Sequence, residues 1–222
     1  MVVPKLYMIP ASYPVRSVLM VAKALDVQLE LIEVDLLNKE HLKSDFLKLN
    51  PLHTVPTLVD DGLVVCDSNC IAMYLADKYG KDDSLYPRDL NKRTMVNQRL
   101  IYNVGTLFTK AAAISRGVIL EGMRDIPTDY VENVHTALGY LETFLTGSEF
   151  VANNQLSIAD ICLLAPVTSI EAFFPITSEK YPNITDWMRR LQKEDFYSEN
   201  IDGLEKFKYL FKKTLSGELL LM

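Results

Sequence analysis

The chain has 222 residues, of which 49% are hydrophobic and 23% charged, the balance of a folded globular protein of one large or two small domains rather than a disordered one. Twenty-nine acidic against 23 basic side chains leave a net charge of −6, which gives no electrostatic means of holding a phosphate backbone and excludes a nucleic-acid binder. The best apolar run, Ile161 to Val167, is seven residues long and contains Pro166, so no membrane span is expected.

The first eighty residues alternate between strand and helix patterns. Lys5 to Ile9 is a short apolar run ended by Pro10 and reads as a buried strand. From Pro14, apolar residues fall at Val15, Val18, Leu19, Ala22 and Leu25, a helical spacing with proline placed in the first turn. Pro10, Pro14 and Arg16 also interrupt the apolar N-terminus too early for a signal peptide, which points to a cytoplasmic chain. Leu29 to Leu36 is apolar on both faces and is expected in the middle of a covered sheet. A polar helical turn follows around Glu40 to Leu49. Asp61-Gly62 between Thr57-Leu58-Val59 and Leu63-Val64-Val65 signals a hairpin, since glycine tolerates the positive φ of a primed turn. Ser68 to Tyr79 is helical, with Ile71, Leu75 and Tyr79 on one stripe. The order βαβαββα fits one right-handed βαβ unit plus a hairpin on a single mixed sheet.

Residues 81–90 are polar and turn-forming and read as a linker between a first domain, 1–80, and a second, 91–222. Beyond it the period never returns to two. Val96, Leu100, Val104, Leu107, Ala111, Ile114 and Val118 form one long helical stripe. Tyr130 to Leu145 forms another helix, closed near Gly147. Leu156-Ser157-Ile158-Ala159-Asp160-Ile161 carries a capping box and an apolar staple. Two more helices are predicted near Thr185–Gln192 and Leu204–Lys213, so the second domain is expected to be all-helical.

Metal chemistry finds no support, because His41, His53 and His135 show no ligand spacing with one another or with the cysteines. Cys66, Cys70 and Cys162 are an odd number and are expected as buried small hydrophobes in a reducing compartment. No glycine-rich phosphate loop follows a strand. The turn before the first helix, Ala11-Ser12-Tyr13-Pro14, lacks the Cys-x-x-Cys of a redox site. Its single aliphatic hydroxyl, Ser12, is either a helix N-cap or a ligand-binding donor. Asn50-Pro51-Leu52-His53-Thr54-Val55-Pro56 brings a proline directly before a strand, and residue pattern alone favours the commoner trans bond over cis. Asp67-Ser68 opens the next helix, where both side chains suit an N-terminus.

Tyr13-Pro14-Val15-Arg16-Ser17, the segment from Asn50 to Leu58, Asp67-Ser68, the linker Lys78-Tyr79-Gly80-Lys81-Asp82-Asp83-Ser84-Leu85-Tyr86-Pro87 and the Ser157 capping box, in register over the whole chain, closely resemble the cytosolic glutathione transferases, nearest to the insect delta and epsilon classes and epsilon-like. The resemblance implies a thioredoxin-like N-terminal domain (α+β) that binds the co-substrate glutathione and an all-α C-terminal domain that helps bind a hydrophobic electrophile. Ser12 matches the catalytic serine that hydrogen-bonds the glutathione sulfur. His41, His53, Thr54, Val55, Pro56, Asp67, Ser68 and Asn69 match the glutathione-binding positions, with the histidines toward the glycyl carboxylate and Asp67 and Ser68 toward the γ-glutamyl group. Phe108, Ala112, Arg116, Ile119, Phe207, Leu210 and Phe211 match the electrophile pocket. The stripe Phe207, Leu210 and Phe211 would equally well dock the last helix on the core. Three positions depart from the pattern: Tyr13, expected to narrow the pocket mouth, Asn69, where Arg or His is usual near a subunit interface, and Ala112, where an arginine is frequent. The implied activity is detoxifying conjugation by a homodimer, with peroxidase or dehydrochlorinase side activity. A non-catalytic carrier of glutathione or lipophiles is the alternative, and a glutaredoxin-like oxidoreductase is disfavoured by the serine at position 12.

Overall fold

A computed structural model of the chain describes residues 3–36 and 38–218; the outer ends of the two expected domain spans, 1 and 222, lie outside the described residues. The first layer runs β1 (Lys5–Met8), α1 (Tyr13–Ala24), β2 (Glu30–Glu33), a short 3₁₀ turn (Glu40–Leu42), α2 (Ser44–Leu49), β3 (Thr57–Asp60), β4 (Leu63–Cys66) and α3 (Ser68–Tyr79). The four strands form one mixed sheet in the order β2-β1-β3-β4, with β1 parallel to β2 and antiparallel to β3. The Asp61-Gly62 hairpin forms as expected, both residues holding positive φ of 49° and 81°.

One expectation is corrected here. The apolar run around β2 does not sit mid-sheet: β2 is an edge strand and Leu31 is 51% exposed. The centre goes to β1 and β3, whose Leu6 and Leu58 are fully buried, while most of the apolar weight near β2 lies beyond its end, at buried Val34. The faces are covered unequally. α1 and α3 pack Val15, Val18, Val21, Ile71 and Leu75 into one core with Leu6 and Leu58. On the other face Tyr7 meets Phe46 of α2 edge-on, with ring centroids 5.9 Å apart.

The second layer is helical: α4 (Leu90–Tyr102), α5 (Phe108–Ile119), α6 (Thr128–Phe144), α7 (Ile158–Ile170), α8 (Pro182–Leu191) and α9 (Ser198–Leu215). The long stripe predicted from Val96 to Val118 is interrupted by a π-helical turn, Asn103–Leu107, joining α4 to α5. The wider turn shifts the helical phase, so Val104 leaves the stripe and is 39% exposed while Leu107 and Ala111 regain the core. α7 runs through the middle with all its residues buried. Its Asp160 is buried and accepts from the Ser157 N–H and hydroxyl (both 2.9 Å), the Val151 N–H (2.8 Å) and Trp187 Nε1 (3.0 Å), pinning the α7 start to the preceding loop and to α8.

The layers meet where α1 packs on α7 and α9. Arg16, fully buried in this seam, donates to Asn200 Oδ1 of α9 and to Ser169 Oγ of α7. Burial pulls its pKa down to about 10, so the guanidinium stays charged at neutral pH. Gly203 makes the close approach of α9 possible: a Cβ there would lie 2.3 Å from the Pro10 carbonyl and 2.6 Å from Arg16 Cδ. The seam thus fixes α9 against the turn that carries Ser12.

Candidate active site

Strand register gathers the candidate residues. Tyr7 of β1 pairs with Thr57 of β3, and Thr57 pairs with Cys66 of β4. The turn after β1 (Ser12), the segment before β3 (His53 to Pro56) and the residues after β4 (Asp67 and Ser68) therefore leave the sheet at one end. The segment after β2 starts there too, since the Val34 N–H donates to the Met8 carbonyl (2.9 Å). α1 and α3 both begin at this end, so the positive ends of two helix dipoles favour an anion there.

Ser12 precedes α1 in an extended conformation, but its side chain makes no hydrogen bond to the helix. The cap reading therefore fails. The first turn is held instead by the backbone, with the Ser12 N–H on the Ile9 carbonyl (3.1 Å) and the Arg16 N–H on the Ser12 carbonyl (3.0 Å). A half-buried hydroxyl is left for another acceptor.

The Val55–Pro56 bond is cis, against the trans form favoured by residue pattern. Asn50, which sequence reasoning passed over, shapes this loop. It is fully buried, its Nδ2 donates to the Thr54 carbonyl (3.0 Å) and to Thr57 Oγ1 (2.9 Å), and its Oδ1 accepts from the Leu52 N–H (2.9 Å). The available signal was Asn before proline in a non-helical segment, the setting of an Asx turn. His53, exposed at a φ of +47°, comes within 6.0 Å of the half-buried His41 ring. His41 Nδ1 is buried without a protein partner, and burial together with the neighbouring His53 lowers the His41 pKa, which keeps it neutral at pH 7.

Asp67 caps α3, accepting from the Asn69 N–H (2.9 Å) and the Cys70 N–H (3.1 Å), and holds a φ of +72° that fixes the entry of the helix. Ser68 follows at the helix start. Asn69 does not join this group with its side chain. It is buried against the second layer, donating to the Leu100 carbonyl (2.9 Å) and accepting from Asn103 (3.2 Å). Cys70 is exposed and Cys66 half-buried, so of the three cysteines only Cys162 is the buried hydrophobe expected. The reason is register: Cys70 faces outward at the start of α3 while Ile71 and Ala72 take the core.

The second wall comes from α5 and α9. Phe108 and Ile119 are half-buried, Ala112 is buried and Arg116 is exposed. On α9, Phe207 and Phe211 are buried against Phe173, at centroid distances of 6.2 and 4.8 Å, and so serve the core, while Leu210 stays half-buried. Tyr13, expected to narrow a pocket mouth, is instead buried between the helices, its ring 5.4 Å from Phe108 and 6.0 Å from Phe207. Among the described residues no cluster of three His, Cys, Asp or Glu gathers in a metal-binding arrangement.

The chain matches the family models for the glutathione S-transferase N-terminal domain over residues 2–77 and the glutathione S-transferase C-terminal domain over residues 121–195. A glutathione transferase homolog from Drosophila mojavensis, solved with bound glutathione, is 39% identical, with a TM-score of 0.94 over 96% of this chain and 98% of that one. An epsilon-class glutathione S-transferase of the housefly Musca domestica is 39% identical, with a TM-score of 0.92 over 95% and 98%. A delta-class glutathione transferase of Nilaparvata lugens is 40% identical, with a TM-score of 0.90 over 95% and 99%.

Proposed function

The chain belongs to the glutathione S-transferase family, and from that premise we propose that it is a cytoplasmic, detoxifying enzyme that conjugates glutathione to small hydrophobic electrophiles. The observation that carries this reading is Ser12: an uncommitted hydroxyl at the end of the sheet where two helix N-termini converge. An anion placed there gains a hydroxyl donor and two aligned helix dipoles, with no strong base required.

In the proposed reaction the glutathione thiol loses its proton to solvent and Ser12 donates a hydrogen bond to the thiolate. The sulfur then forms a bond to an electrophilic carbon, and the leaving group, a halide for an aryl chloride, departs with the bonding electron pair. Peroxide reduction and dehydrochlorination are proposed as side activities of the same thiolate. His41 and His53 are assigned to the glycyl end of the tripeptide, the backbone of Thr54, Val55 and Pro56 to its cysteinyl portion, and Asp67 with Ser68 to the γ-glutamyl end. Residues up to 80 form the glutathione domain, and the helices after residue 90 supply the electrophile wall through Phe108, Ala112, Arg116, Ile119 and Leu210. Asn69 is withdrawn from the glutathione set, because its side chain is spent between the layers.

A homodimer is part of the proposal. Leu63 and Val64 of β4 and Leu90, Met95, Ile101 and Val104 along α4 and its π turn leave apolar surface exposed, as an interface would require. Sedimentation at micromolar concentration is expected to give twice the chain mass; a monomer that still turns over would refute the dimer. Retention on immobilised glutathione, followed by an absorbance assay with 1-chloro-2,4-dinitrobenzene, tests the activity. Retention without turnover would replace the enzyme by a glutathione-binding carrier.

A further inference from the structure

We propose that Tyr13 is the specificity-determining residue of the electrophile site, its ring closing the apolar space between α5 and α9 so that single-ring electrophiles are admitted and two-ring ones are not. The inference rests on the transferase reading above and names the substrate shape that site selects. Tyr13 directly follows Ser12, yet its ring reaches the helices of the second layer. The ring lies edge-on to Phe108 of α5 (5.4 Å, 61°) and to Phe207 of α9 (6.0 Å, 88°), and its hydroxyl is 3.4 Å from Ser115 Oγ on α5. Ser115 Oγ in turn donates to the Ala112 carbonyl (3.4 Å), so the phenol is tied to the turn of α5 that carries Phe108 and Ala112.

The three aromatic rings differ in exposure in a telling way. Tyr13 is 6% exposed and Phe207 is as deeply buried, whereas Phe108 is half-buried and keeps part of its ring open. The ring left open on this side is therefore that of Phe108, with Tyr13 packed against it and out of solvent. Ala112 contributes almost no bulk, so the side chain that limits depth comes from α1 and not from either helix of the wall. The Tyr13–Ser115 pair and the two edge contacts hold the ring in place, and burial raises the phenol pKa to about 12, so it remains a neutral, fixed surface across the working range.

The test compares kcat/KM for 1-chloro-2,4-dinitrobenzene and 1-chloro-2,4-dinitronaphthalene, which react by the same chloride displacement and differ by one fused ring. Tyr13→Ala is expected to raise the two-ring to one-ring ratio by about tenfold or more, the scale on which apolar pockets discriminate by size. Tyr13→Phe keeps the ring and is expected to retain the wild-type ratio. A ratio is insensitive to the fraction of active protein, so a merely structural role, which lowers both rates together, would leave it unmoved. Should Tyr13→Ala fail to fold, Tyr13→Leu carries the same expectation. A wild type that conjugates the one-ring substrate, with the ratio unchanged in the Ala or Leu variant, would overturn the role of Tyr13 alone. A wild type that conjugates neither would overturn the transferase reading and this inference with it.

Discussion

Replacing Ser12 by alanine separates its two conceivable roles, because the structure assigns them different costs. A working N-cap would lose about 1 kcal/mol of stability on truncation. Ser12 makes no side-chain bond to α1, so removing its half-buried hydroxyl should cost little, about 0.5 kcal/mol. The effect on bound glutathione is larger. A free thiol of pKa about 8.5 is only a few per cent ionised at pH 7. A hydrogen bond to a charged acceptor contributes about 1.5 to 3 kcal/mol, and diffuse sulfur places this one in the lower half. The helix N-termini of α1 and α3, about 0.3 to 1 kcal/mol each, persist in the variant. At 1.36 kcal/mol per pH unit, losing the hydroxyl raises the thiol pKa by about one unit or slightly more. Enzyme binding lowers that pKa, so its loss moves the midpoint of the pH–rate profile upward. The assay is kcat/KM for 1-chloro-2,4-dinitrobenzene from pH 6 to 9. Ser12→Ala should show a midpoint about one unit higher and a roughly tenfold loss at pH 6.5 that shrinks toward pH 9. An unchanged midpoint in a variant of unchanged melting temperature would refute the assignment, and Tyr7, half-buried on β1, would be the donor to test next.

Four other changes follow from the geometry. Phe108→Ala removes the open ring of the apolar wall and should raise KM for an aromatic electrophile by about tenfold, on the scale of 25 cal/mol per Å² of buried apolar surface, with glutathione affinity unchanged; equal losses for both substrates would contradict the wall. Asp160→Asn turns an amide toward a set of donors, strands at least one of them, and should cost about 2 to 4 kcal/mol, read as a melting temperature lower by about 5 to 15 °C; a shift under about 2 °C would refute the hub. Gly203→Ala forces a methyl against the rigid Pro10 carbonyl and should lower both stability and turnover by moving α9 off the Ser12 turn; wild-type turnover would show that the seam yields freely. Burial works to raise the Asp60 pKa, but hydrogen bonds from Lys78 (2.8 Å), Tyr79 (2.6 Å) and Tyr74 (2.8 Å) outweigh it and hold the carboxyl below its usual value. Its stabilising contribution is thus present above the ordinary carboxylate range and lost as pH falls through the lowered pKa, so Asp60→Asn should flatten the acid limb of a melting-temperature profile; an unaltered limb would refute it.

Local chemistry made the elements legible. Period-two and period-3.6 patterns, the Asp61-Gly62 turn and the Ser157 capping box act over a few residues; the turn and the capping box form as read, and α3 begins at Ser68 and ends at Tyr79, as its stripe predicts. The resemblance carried by Ser12, the loop before Pro56 and Asp67-Ser68 likewise identified the family before any coordinates. What the sequence did not disclose depends on partners far along the chain. The place of β2 at the sheet edge is set by which strand β1 and β3 leave outside; within Leu29–Leu36 only the exposed Glu30 and Glu33 flanking Leu31 and Ile32 carry a trace of that choice, outweighed in the pattern by its apolar residues. The uncapped hydroxyl of Ser12, the inward turn of Asn69 and the burial of Tyr13 follow from docking two layers, where Arg16, Asn200 and Gly203 meet across some 185 residues of chain. Periodicity records which side chains avoid water; which neighbour they find there is decided only when the layers close, because the same apolar stripe is satisfied equally by any surface that excludes water.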